Sequence, residues 1–120
     1  MATIKSYTDL EQSRKLSEIV SIDTADMWYD NDGESIAGRP EVRCGSFIGL
    51  ASKNIPCWSL AALLGVLPEG TRLLKSTNIS SIGDTKYHCD CPKGNVDEWF
   101  DNPIDACVVM IIRLNELNLL

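Results

Sequence analysis

From Asn102 onward the chain reads Asn-Pro-Ile-Asp, a helix cap with proline at the first helical position, and then Ala106-Cys107-Val108-Val109-Met110-Ile111-Ile112, two turns without a polar face. A helix that is apolar on every side is buried on every side. Cys57 to Leu67 is similarly apolar, with Pro56 suited to a first helical turn and Pro68 placed to stop the helix. Two such segments demand a compact core. A chain of 120 residues, 44% hydrophobic and 23% charged, supplies one as a single domain without metal or disulfide staples. The residues expected inside are Leu60, Leu63, Leu64, Cys107, Val108, Ile111 and Leu114.

Ahead of these helices, Thr8-Asp9-Leu10-Glu11 fits a capping box that starts a first helix at Thr8, with Leu10, Ser13, Leu16, Ser17, Ile19 and Val20 on one half of the wheel. Asp23 to Tyr29 reads as a strand, and a second strand is expected within Val42 to Ile48. The stretch from Asp30 to Asn54 holds five of the punctuating residues, Gly33, Gly38, Pro40, Gly45 and Gly49, and long irregular stretches of this kind are often functional. Thr71 to Ser76 reads as a strand. Thr85 to Cys91 alternates, with Tyr87, Cys89 and Cys91 on one face and Lys86, His88 and Asp90 on the other, the pattern of a half-buried strand. Pro92 to Asn95 is a turn. The expected architecture is α+β: a small antiparallel sheet packed with about three helices, residues 1–120 forming one domain.

A net charge of -6 repels phosphate backbones, and the eleven Lys and Arg form no dense block, so no nucleic-acid partner is expected. Met1 to Tyr7 lacks the apolar core of a secretory signal, and the apolar runs fall far short of the roughly 20 residues that span a bilayer. A cytoplasmic chain without a membrane partner is expected. Its five cysteines, Cys44, Cys57, Cys89, Cys91 and Cys107, then default to reduced thiols, and Asn78-Ile79-Ser80 is a chance match to a glycosylation acceptor.

Several residue sets invite chemistry. His88, Cys89 and Cys91 with Cys44 suggest a metal, but strand alternation turns His88 away from both cysteines and no second close pair exists. Asp30 to Glu34 fails as a calcium loop, because placing Gly33 at the sixth position puts Trp28 and Arg39 where carboxylates are needed. Gly45 to Gly49 lacks the Lys-Ser or Lys-Thr ending of a phosphate loop. Neither metal nor cofactor is therefore expected. Cys57 near a helix start, followed by His88 and then Asp90 or Asn102, resembles the chain order of papain-like thiol hydrolases. That resemblance implies Cys57 as nucleophile, His88 as base and Asn102 as orienting residue. It departs from that family in having Asn54-Ile55-Pro56 where a glycine-bearing oxyanion segment belongs.

Tyr7 to Ser13, Pro56 to Leu64 and Asp101 to Cys107 running on to Leu117 together resemble a group of small proteins carried by gut bacteria and their phages or prophages. The resemblance implies a setting and brings no activity, ligand or site residue. With no catalytic set complete, the sequence points first to a non-enzymatic accessory protein of bacterial or phage origin that binds a protein partner. A thiol hydrolase using Cys57 and His88 is the second reading. A small-ligand binder using Trp28, Tyr29 and the Arg39 to Phe47 segment is the third.

Overall fold

A computed structural model describes residues 6–29, 42–44, 55–77, 85–96 and 98–120. They form an α+β fold of three α-helices and two three-stranded antiparallel sheets. Helix α1, Leu10–Ser17, is capped by Asp9 and not by Thr8: the Asp9 carboxylate accepts from the Gln12 amide at 2.8 Å, and the Gln12 side chain accepts from the Asp9 amide at 3.1 Å. Aspartate caps as well as threonine does. The expected box slips by one residue because Thr8 is drawn into a long-range contact. Its hydroxyl accepts from the Trp58 amide at 3.1 Å, and its own amide donates to the Trp58 carbonyl at 2.9 Å.

The expected strand from Asp23 divides in two. Ile22–Thr24 is a 3-10 turn, and only Met27–Tyr29 forms strand β1. β1 is the middle strand of the first sheet, between β2, Val42–Cys44, and β3, Ile55–Cys57, with Met27 opposite both Cys44 and Cys57. The remainder of the Val42 to Ile48 expectation lies outside the described residues.

β3 corrects the sequence reading of the central helix. Pro56 and Cys57 belong to a strand, in which Pro56 pairs with Trp28. Proline is tolerated there because β3 is an outer strand of its sheet among the described residues, so no ladder bond is lost toward a third neighbour. Helix α2, Leu60–Val66, begins later because Asp26 holds the cap residue Ser59, accepting from its amide at 2.9 Å and from its hydroxyl, while Ser59 Oγ accepts from the Ala62 amide. Pro68 follows the helix end as the sequence requires. Within α2 only Leu63 is fully buried. Leu64 is 38% exposed, against expectation, and Leu60 is half-buried, because a single step of about 100° along a helix carries Leu64 from the core to the solvent side.

The second sheet runs in the order β4, Arg72–Thr77; β5, Thr85–Cys91; β6, Gly94–Asn95. β5 alternates as its sequence does, with Cys89 and Cys91 buried and Tyr87 packed against the core. Gly94 is required by close approach: a methyl group there would stand 2.8 Å from Cδ2 of Leu114.

Helix α3, Pro103–Glu116, is the centre of the molecule. Asn102 caps it, accepting from the Asp105 amide at 2.9 Å, and Pro103 occupies the first turn. Ile104, Cys107, Met110, Ile111 and Leu114 are fully buried, packed with Leu16, Trp58 and Leu63. The helix is not enclosed on every side, since Val109 and Ile112 are only half-buried. Gln12 joins α1 to α3 by donating to Asp105 at 2.7 Å. Among the described residues no helix is long and apolar enough to cross a membrane.

Candidate functional site

Cys57, the nucleophile of the thiol-hydrolase reading, is wholly buried on β3. Its thiol donates to the Thr8 carbonyl at 3.4 Å and accepts from the Thr8 hydroxyl at 3.5 Å. The same carbonyl accepts from the Tyr29 hydroxyl at 2.7 Å, and the Thr8 hydroxyl meets that of Ser13 at 2.8 Å. Burial pushes the Cys57 thiol up from its ordinary value, and hydrogen bonds with Thr8, Ser13 and Tyr29 offset only part of that rise. Tyr29 is pushed up as well, by burial first and then by the nearby Cys57. The group is a closed polar knot joining α1 to β1 and β3, with a protonated sulfur at its centre.

His88 lies on the second sheet, where Nδ1 meets the Glu98 carbonyl at 3.0 Å. Among the described residues the Asn102 side chain bonds within the cap of α3, accepting from the Asp105 amide and donating to its carboxylate at 2.8 Å. The three residues of the hydrolase reading thus sit in three separate hydrogen-bonding groups. Of the ligand-binder residues, Tyr29 is buried in the knot and Trp28 is half-buried against the core, while most of Arg39 to Phe47 lies outside the described residues. The Asp30 to Glu34, Gly45 to Gly49 and Asn78 to Ser80 matches lie outside them too. Among the described residues no three histidines, cysteines or carboxylates are grouped to hold a metal ion. Cys57, Cys89, Cys91 and Cys107 are free thiols.

What the structure does assemble is an exposed aromatic row that the sequence reading passed over. Phe100 pairs with Tyr87 through two backbone hydrogen bonds, of 2.7 and 2.8 Å, which lays the segment before α3 alongside β5. Phe100 packs inward with Tyr87, so Trp99 projects outward beside His88. The two rings stack with centroids 5.1 Å apart and planes 29° from parallel. On the other side of His88, directly across the ladder, is Leu74 of β4. Trp99 is 46% and Leu74 39% exposed. Ion pairs flank this row on both sides, Arg72 with Asp90 at 2.9 Å and Lys86 with Asp101. The signal in the sequence was the alternation of β5, which sends His88 outward; what the sequence did not contain was the pairing of Phe100 with Tyr87 that puts Trp99 against it. No protein-family model matches the chain, and no curated protein or solved structure matches it either.

Proposed function

We propose that the protein is a non-enzymatic interaction module, an accessory protein of bacterial or phage origin, which docks a protein partner on the outer face of β4 and β5. The observation that carries this reading is Trp99, a large aromatic held half in solvent by its stack on His88 and by the Tyr87–Phe100 pairing, next to exposed Leu74. A side chain of this size offers extensive apolar contact, and its fixed position lowers the entropy lost when a partner covers it. The bordering ion pairs set register and exclude water around that centre.

The test is a photo-cross-linking amino acid placed at position 74 to trap the partner, followed by titration of that partner against native and Trp99→Ala chains. Loss of the tryptophan is expected to weaken binding by at least tenfold, about 1.4 kcal/mol or more, with the melting temperature little changed. A partner that binds the Trp99→Ala chain as tightly as the native one removes this face from the proposal.

A further inference from the structure

On the outer face of β4 and β5, His88 and Trp99 offer a ligand the same kind of group, one that draws a hydrogen-bond donor or a cation. His88 Nδ1 lies 3.0 Å from the Glu98 carbonyl. A carbonyl oxygen only accepts, so Nδ1 carries the proton and donates, and in the neutral ring Nε2 is the acceptor. Trp99 stacks one face of its indole on that ring, and its 46% exposure leaves the remainder to a ligand. The face of an indole is negative in its charge distribution and holds a guanidinium or ammonium group against it.

The charges around the two rings have the matching sign. Arg72, Leu74 and Ser76 of β4 lie across the ladder from Asp90, His88 and Lys86 of β5, while Lys75 belongs with Tyr87 to the opposite face. Arg72 and Lys86 are neutralised by Asp90 and Asp101. With those pairs cancelled, Glu98, exposed and next to Trp99 in the chain, leaves the row acidic. The net charge of -6 gives the whole molecule that sign and favours the approach of basic partners. An acidic segment meets like charge here, and a wholly apolar one buries Nε2 with no donor to satisfy it. We infer, resting on the docking face proposed above, that the partner meets it with a basic segment, which lays an arginine on the indole of Trp99 and directs an N–H group to Nε2 of His88. Arginine suits this place better than lysine because its planar guanidinium stacks on a flat aromatic face.

Two synthetic peptides titrated into the full chain test this, acetyl-Gly-Arg-Gly-Arg-Gly-amide and the same sequence with citrulline, which keeps the shape of arginine without its charge. Salt at about 0.15 M screens attraction by the distant charges of the chain. The indole N–H signals in the nuclear magnetic resonance spectrum read the contact, with that of Trp99 assigned from Trp99→Phe. The arginine peptide is expected to move the Trp99 signal and, judged by it, to bind roughly fivefold or more tightly than the citrulline peptide. Trp99→Leu, which is apolar but has no aromatic face, is expected to erase that preference. Equal binding of the two peptides overturns the inference, as does binding that leaves the Trp99 signal unmoved, or no binding of either peptide. The chain has one histidine, so long-range 15N correlation reads its tautomer directly. The Nδ1–H form is expected in the neutral ring, and the Nε2–H form overturns the inference. The docking face fails separately: a partner trapped at position 74 that depends on Trp99 but contacts it with no basic segment refutes the basic segment alone, whereas a partner indifferent to Trp99→Ala refutes the face.

Discussion

At the scale of the residue, Cys57 has its sulfur closed in by Thr8 and no exposed surface. A thiol reacts as the thiolate, and burial keeps this one protonated. Slow alkylation by a small haloacetamide in the native state is therefore expected, with fast reaction after unfolding, read by mass spectrometry of the Cys57 peptide. Rapid native labelling at mildly acidic pH, abolished by His88→Ala, would instead restore the hydrolase reading. Thr8 explains why the first cap was misplaced from sequence. Its hydroxyl has the right chemistry to cap α1, but the Trp58 amide, 50 positions away, competes for it, and Asp9 is at hand to take over the cap. Sequence spacing describes local options and says nothing of a distant competitor.

At the scale of the element, the same limit separates what was legible from what was not. Helix α3 was readable because its cap, its proline and its apolar length all point one way. β5 was readable because its alternation is unbroken. Ile55 to Cys57 was not, since a short apolar run with proline suits a helix start and an outer strand equally, and pairing with β1 decides between them. Trp99 was missed for the same reason, as its position follows from one non-local pairing. Burial differs between α3 and α2. Ile111→Ala in α3 is expected to cost about 2–5 kcal/mol, from lost transfer energy and an unfilled cavity, whereas Leu64→Ala on the solvent side of α2 is expected to cost under about 1 kcal/mol. Urea denaturation of both variants checks the difference. Equal costs would mean that α2 is packed by something beyond the described residues.

At the scale of the whole molecule, the second sheet packs on α3, and the polar knot of Thr8, Tyr29 and Cys57 fastens the first sheet to α1. The raised ionisation of Cys57 and Tyr29 ties stability to pH. The folded chain keeps protons on both groups that the unfolded chain releases, so their contribution is intact below the ordinary thiol value of 9.0 and declines as pH rises above it. Each group that stays protonated steepens the decline by about 1.4 kcal/mol per pH unit. Thermal melts between pH 7 and 11 are expected to show a falling melting temperature from about pH 9, less steep in Cys57→Ala; a flat profile would mean that water reaches the knot.

The bond from Thr8 to Trp58, and that from Gln12 to Asp105 spanning 93 positions, also set an order of events during synthesis. α1 is made well before the partners that hold it. α1 has no β3 to rest on until Trp58 has emerged, and the second sheet has no core to cover until most of α3 has been translated. Leu16 is apolar surface on the nascent chain for most of its elongation, and Trp58 and Leu63 are so from their own synthesis until α3 is made. The larger core depends on α3 for its collapse, and its exposure to chaperones and to aggregation lasts until that helix is free to fold.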